Sequence, residues 1–165
     1  MDMAGIITGL FHVAIKTADL AKTRWFYCDL LGLAEVARPD FGYPGAWIAV
    51  PTPVGEAIIH IYAGGPALGP EGRVASGSAA IDHISLTAVG YHDFIARFRK
   101  HGIDWREFLV PNTTYWQLFV YDPSGVQLEL TFDGRAETGA SPDMSPGRKY
   151  IAGSSFFNAS QYEFA

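Results

Sequence analysis

Phe11-His12-Val13-Ala14-Ile15-Lys16 and Asp82-His83-Ile84-Ser85-Leu86-Thr87 are two short runs of the same make, each setting a histidine against alternating apolar residues. Side chains of a strand point to opposite faces in turn, so Phe11, Val13 and Ile15 share one face and His12 takes the other. Ile84 and Leu86 oppose His83 in the same way. His83 stands 71 residues after His12 (83 minus 12), a separation that suits a duplicated unit.

The segments downstream of the two runs support the duplication. Asp19 offers an N-cap oxygen to a helix carrying Leu20, Phe26, Tyr27, Leu30 and Leu31, which Gly32 closes. Three more strands are expected around Leu33 to Ala37, Ala46 to Val50 and Ala57 to Tyr62, parted by turns at Pro39, Pro44, Pro51, Pro53 and Gly55. After the second run comes a helix with Tyr91, Phe94, Ile95 and Phe98 at i, i+3, i+4, i+7, closed by Gly102. Strands near Ile103 to Phe108, Tyr115 to Tyr121 and Val126 to Phe132 complete the repeat.

The fold class expected is therefore α+β, with two tandem βαβββ modules whose mostly antiparallel sheets form a half-open barrel around a metal site. The modules span 8–63 and 79–133, joined by a Gly/Pro/Ala-rich linker over 64–78. Residues 134–165 form a Gly/Ser/Pro-rich tail ending in Phe156, Phe157, Tyr162 and Phe164, which can dock on the body or on a partner chain. Sliding one half along the other sets Trp47 on Trp116 and His60 on Glu129, both at an offset of 69 (116 minus 47, 129 minus 60).

His60 stands opposite Ala57, Ile59 and Ile61, and Glu129 opposite Val126, Leu128, Leu130 and Phe132, sharing its face with Gln127 and Thr131. A single strand histidine is ordinarily a hydrogen-bonded core or surface residue, and a strand Glu ordinarily faces water. Four such residues at matching places in two repeats point instead to a shared concavity. Three imidazoles and a carboxylate are ligands for zinc, nickel, iron(II) or manganese. His12, His60, His83 and Glu129 are the expected ligands of one divalent ion, with Glu129 and His60 the candidate catalytic groups. Tyr62, Asn112, Tyr115, Gln117, Phe119 and Tyr121 are the expected substrate contacts, with Trp47 and Trp116 nearby. Arg38 and Arg106 are expected to be solvated at the surface, as are His92 and His101 beside the second helix.

Composition bounds the partners. The chain has 165 residues, 48% of them hydrophobic, and a net charge of −5 from 12 Lys+Arg against 17 Asp+Glu, which leaves no basic stripe for a phosphate backbone. Nucleic acid and membrane are not expected partners. The single cysteine, Cys28, lies in an apolar helical pattern and reads as a small hydrophobe. MDMAGIITGL lacks the basic n-region and cleavage site of a secretory signal, so the expected compartment is the cytoplasm. Asn158-Ala-Ser160 matches a glycosylation acceptor by chance on this reading.

Phe11-His12-Val13-Ala14, Phe26-Tyr27 ahead of Leu30-Leu31-Gly32-Leu33, Asp82-His83-Ile84, and Asp122-Pro123-Ser124-Gly125 ahead of Leu128-Glu129-Leu130 together resemble the vicinal oxygen chelate superfamily. It includes glyoxalase I, methylmalonyl-CoA epimerase, fosfomycin-resistance transferases, extradiol ring-cleaving dioxygenases and metal-free bleomycin-resistance proteins. The resemblance spans roughly residues 8–133. It implies paired βαβββ modules, a metal at the ends of four strands, a homodimer, and small substrates that chelate the metal through two neighbouring oxygens. His12, His83 and Glu129 occupy that family's most regular ligand places, whereas His60 stands where glyoxalases show Glu and epimerases Gln.

The ligand count separates the reactions. Four side chains on an octahedral ion leave two positions, which suits Lewis-acid isomerase or glyoxalase-type work, the favoured expectation. Three leave room for a catecholate and dioxygen on iron(II), the extradiol alternative. The segment from Asn112 to Glu129 is similar to the extradiol signature in Leu118, Asp122-Pro123, Gly125 and Glu129, but carries Asn112 in place of its His and Phe119 in place of its Tyr. His60 could replace that acid/base if it stays off the metal. A metal-free binding protein of resistance type is the second alternative.

Overall fold

The computed structural model describes residues 11–52, 55–69 and 71–163. The expectations for the first ten residues, for Pro53 and Phe164, and for the side chain of Ala57 lie outside the described residues. Element order is β1 (His12–Lys16), α1 (Leu20–Arg24), a π-helical turn (Trp25–Leu30), β2 (Ala34–Val36), β3 (Gly45–Thr52) and β4 (Gly55–Tyr62). After a loop holding a 3-10 turn (Gly65–Ala67) come β5 (Ile84–Thr87), α2 (Tyr91–Lys100), β6 (Arg106–Leu109), β7 (Tyr115–Tyr121) and β8 (Gln127–Asp133). A second 3-10 turn (Ala159–Tyr162) ends the tail.

Two four-stranded sheets result, in the orders β1-β4-β3-β2 and β5-β8-β7-β6, so the βαβββ repeat is present twice. Neither closes into a barrel. In each, the first strand runs parallel to the fourth and the remaining pairs are antiparallel. One apolar core joins the modules: Ile15, Ile48, Ile59 and Ile61 from the first sheet lie in one cluster with Leu118, Val120, Leu128 and Leu130 from the second, together with the inner faces of both helices. Burying these inner faces leaves the opposite faces, with His12, His60 and Glu129, for other work.

The first helix departs from a simple α-helix. Asp19 caps it as expected, its Oδ1 accepting from Lys22 N at 3.0 Å. From Trp25 the turns widen, with Leu31 N donating to Phe26 O at 3.0 Å. The wider turn carries Phe26, Tyr27 and Leu30, all fully buried. Helix α2 begins at Gly90, in the left-handed region with φ +84, and Gly90 has no side chain with which to cap it. Glu137 of the tail does so instead, accepting from Gly90 N at 3.0 Å and Tyr91 N at 2.8 Å.

Register corrects the sliding comparison. Trp47 pairs with His60, but the partner of Glu129 is Phe119, and Trp116 pairs with Phe132. Trp116 thus faces the core side, against Tyr91 at 5.3 Å, and not the concave face. Trp47 and His60 are 13 residues apart (60 minus 47), Phe119 and Glu129 only 10 (129 minus 119). Paired residues are joined across two residues in β3–β4 (Thr52 to Gly55) and across five in β7–β8 (Tyr121 to Gln127), an odd difference, and an odd shift exchanges the faces. Phe11 also departs from its expected inward place: it precedes β1 and is 76% exposed.

Candidate functional site

In the second module, β8 holds Glu129 beside Ser85 on the parallel strand β5. Glu129 is 7% exposed, and its Oε1 accepts from Ser85 Oγ at 2.6 Å and Thr131 Oγ1 at 2.7 Å. Its other oxygen, Oε2, faces His83 Nε2 at 3.4 Å. His83 sits just before β5, and its Nδ1 lies 2.7 Å from Asp82 Oδ1. That contact, the largest influence on Asp82, holds its carboxyl below the usual range against the opposing effect of burial. If Nδ1 donates to Asp82, Nε2 carries the lone pair. Two donors each about 2.1 Å from a shared ion in tetrahedral disposition stand about 3.4 Å apart, so the pair has the spacing of two ligands of one metal.

In the first module, Trp47, His60 and His12 form a stack. The His60 ring lies 4.6 Å from Trp47 at 5° and 4.1 Å from His12 at 15°. Nearly parallel rings do not direct their in-plane lone pairs at one point, so in this arrangement His12 and His60 cannot both ligate the same ion. Burial, followed by the charges of His12 and Arg38, lowers the His60 pKa, which favours its neutral, proton-accepting form. Arg38 is only partly exposed. Its Cζ lies 4.8 Å and 4.7 Å from the ring centres of Phe41 and Tyr43, and it packs over Gly45, where a Cβ would press on it at 3.2 Å. Its Nε and Nη2 are buried without a hydrogen-bond partner.

The expected substrate contacts are spread over these faces. Tyr62 is half-buried, its ring 5.7 Å from Tyr43. Tyr115, Gln117, Phe119 and Tyr121 share the face of Glu129 by register, with Tyr115 exposed. Phe119 and Tyr121 are buried beneath the tail, under Tyr150 and under Phe156 and Phe157. Asn112 sits in the left-handed region with φ +60 at the exposed β6–β7 turn, a conformation asparagine tolerates. A cavity of about 250 Å³ runs between the edges of β1 and β5, lined by His12, Val13, Ile58 and Ser85. A larger cleft of about 420 Å³ is apolar, bounded by Leu31, Leu33, Leu86 and Phe94, and touches none of the four expected ligands.

The fold therefore brings together His12 with His60, and His83 with Glu129, but among the described residues of one chain no three ligand-type side chains gather at a point. Cys28 is half-buried, and burial, with Glu35 and Asp29 close by, keeps it a thiol. His92 and His101 are exposed. Residues missed in the sequence are Ser85, which parity with His83 could have found, Asp82, whose adjacency to His83 was visible, and Arg38; Thr131 was placed on the face of Glu129 but given no role. Tyr150 carried no signal at all, since nothing local shows that residue 150 returns to the β7 face. Among the described residues no helix is long and apolar enough to cross a membrane.

Comparison with solved structures finds the same architecture. A protein assigned to the glyoxalase family from Bacillus anthracis matches at TM-score 0.61 and 20% identity, covering 79% of this chain and 99% of that one. Lactoylglutathione lyase from Agrobacterium tumefaciens matches at 0.57 and 18%, covering 78% and 96%. The fosfomycin resistance protein FosX from Listeria monocytogenes matches at 0.57 and 18%, covering 77% and 94%. No curated sequence matches the chain significantly. The family profile matches residues 9–130, from β1 into β8, and the chain belongs to the Glyoxalase/Bleomycin resistance protein/Dioxygenase superfamily.

Proposed function

We propose that the protein is a metal-dependent enzyme of glyoxalase or isomerase type, acting as a homodimer on a small substrate that presents two neighbouring oxygens. One observation carries this reading. His83 Nε2 and Glu129 Oε2 face each other at 3.4 Å while every other polar atom of the two side chains is engaged, Nδ1 by Asp82 and Oε1 by Ser85 and Thr131. A structural ion pair would use the carboxylate's hydrogen-bonding capacity more fully; this pair keeps one lone pair each aimed at a shared point.

His83, Glu129 and one imidazole of the first module, His12, would hold the ion, and a divalent metal there polarises a substrate oxygen as a Lewis acid. Zinc, nickel, iron(II) and manganese all suit two imidazoles and a carboxylate. His60, stacked on His12 and kept neutral by its surroundings, is placed to take a proton from a substrate bound beside it. Trp47, Tyr62 and Tyr43 line that face with aromatic surface. The unpartnered Nε and Nη2 of Arg38 form the fork that matches a carboxylate, so an anionic group on the substrate would offset an otherwise unpaired charge.

Two structural neighbours are named for small-molecule chemistry, a lactoylglutathione lyase and a fosfomycin resistance protein, which favours the lyase-like reading. The His12–His60 stack favours a second one, since a three-ligand centre also has room for a catecholate and dioxygen. Purification without chelator, with metal analysis of wild type, Glu129→Ala and His60→Ala, tests the core of the proposal. Stoichiometric metal in wild type, its loss in Glu129→Ala and its retention in His60→Ala are expected. Metal-free wild type would leave only a binding protein. Hemithioacetal and epimerase substrates against oxygen uptake with catechols then decide the reaction.

A further inference from the structure

The tail reaches the Glu129 half-site through one side chain. Its backbone runs beside β6 as a parallel bridge between Glu107 and Lys149, with Glu107 N donating to Arg148 O and Tyr150 N to Glu107 O, both at 2.9 Å. The buried Glu107 carboxylate ties this segment down, accepting from Asp143 N at 2.7 Å, Tyr91 Oη at 2.7 Å and Trp105 Nε1 at 3.0 Å. Tyr150 is thereby laid flat on Phe119, ring centres 3.6 Å apart at 6°, and Phe119 meets His83 edge-on at 5.6 Å.

The Tyr150 hydroxyl ends 3.1 Å from Asp82 Oδ1. Gln127 Nε2 donates to the same oxygen at 3.1 Å and lies 3.2 Å from the hydroxyl. Asp82 Oδ1 thus gathers three contacts: His83, Tyr150 and Gln127. The Asp82 side chain is 57% exposed, and an exposed carboxylate with one partner swings among rotamers. Tyr150 and Gln127, only 8% and 3% exposed, are held by packing and so fix it. A fixed carboxylate at Nδ1 selects one imidazole tautomer and one ring direction.

We propose that Tyr150 is a positioning residue of the metal centre: with Gln127 it holds Asp82 so that His83 keeps its proton on Nδ1 and presents Nε2 beside Glu129. The inference rests on the metal-dependent reading of the site, and goes beyond it by assigning the tail a part there. Tyr150 lies 20 residues past the end of the family match at residue 130 (150 minus 130), so its part in the device comes from outside the segment shared with the family profile, whereas Asp82, His83 and Gln127 lie within it.

Two measurements on the full chain test it, with Co(II) as the probe. In the metal-free protein at about pH 8, where an ordinary imidazole is neutral, 15N NMR is expected to find His83 in the Nδ1–H tautomer, and to find a mixture in Asp82→Asn. Co(II) competition against a chelator is expected to show Asp82→Asn weakened about 10- to 100-fold. Tyr150→Phe, which keeps the stack and removes only the hydroxyl, should be weakened in the same direction by a smaller factor, with an unchanged thermal midpoint. Wild-type Co(II) affinity in Tyr150→Phe, or His83 protonated on Nε2 in wild type, overturns the proposal. Wild type that takes up no Co(II) overturns the metal reading instead, and the tautomer measurement, repeated on Tyr150→Phe, still decides whether Tyr150 and Asp82 set the ring: an unmixed Nδ1–H tautomer in Tyr150→Phe overturns the part given to Tyr150.

Discussion

Three buried carboxylates show how single residues divide between structure and chemistry. Glu107 is saturated by three donors and ties the tail to the second module. Asp122, fully buried in the β7–β8 turn, accepts from Ser124 N and Val126 N at 2.8 Å each and from Tyr27 Oη at 3.2 Å. Glu129 alone keeps an oxygen turned toward an imidazole. Burial pushes the Asp122 carboxyl up to about 6 despite its hydrogen bonds, from an ordinary 3.8. Because the folded value is the higher one, folding favours the protonated form. That contribution is complete below about pH 4 and is lost as pH rises through about 6, a swing of about 3 kcal/mol at most. Asp122→Asn keeps the acceptor for Ser124 and Val126 without the titration. Its urea midpoint relative to wild type is expected to climb between pH 4 and 7, and parallel profiles for the two proteins would refute this account. The ligand-type residues were legible from strand parity alone, since His12, His60, His83 and Glu129 each oppose apolar neighbours. Arg38 was not, because its role depends on a lack of partners, and of Asp82 only the adjacency to His83 was visible, since Gln127 and Tyr150, which also hold it, are distant in the chain.

At the scale of elements, the duplicated modules could be read from periodicity, and the tail could not. Residues 134–155 have the Gly, Ser and Pro content of a linker, yet Glu137 caps α2, Asp143 docks on Glu107 and Tyr150 covers Phe119. Each contact is made by a single side chain or backbone group, which leaves no 2.0 or 3.6 period to detect. The π turn after α1 was equally invisible, because its apolar residues also satisfy helical spacing. At the far end Tyr162 is 2% exposed, lies 6.1 Å from Phe26 in ring centres and donates its hydroxyl to Tyr121 O. The tail is therefore part of the core, and two substitutions should show it. Tyr162→Ala is expected to cost about 3 to 5 kcal/mol, and Glu137→Ala about 1 kcal/mol through the lost cap of α2, both read from urea unfolding. A Tyr162→Ala loss below about 1 kcal/mol would mean that the tail only rests on the surface.

For the whole molecule, the two separated groups of candidate ligands pose a question of geometry that a dimer would answer. His12 and His60 stand on one sheet, His83 and Glu129 with the other, and both sheets turn their inner faces to a common core, so their opposite faces are not folded onto each other within one chain. A two-fold pairing of chains would set the first sheet of one protomer against the second sheet of its partner, twice over. The apolar groups left outside fit that arrangement: Phe11 is 76% exposed beside His12, Ile81 60% exposed two residues before His83, and Tyr115 51% exposed on the face of Glu129. Shared sites make a sharp prediction. His12→Ala and Glu129→Ala homodimers should each lose metal, yet after mixing and subunit exchange the heterodimers carry one damaged site lacking both residues and one intact site. With free exchange half the dimers are mixed, so metal content should recover to about a quarter of the wild-type value. Sites built within single chains would give no recovery at any mixing ratio, since every chain would then carry its own defect.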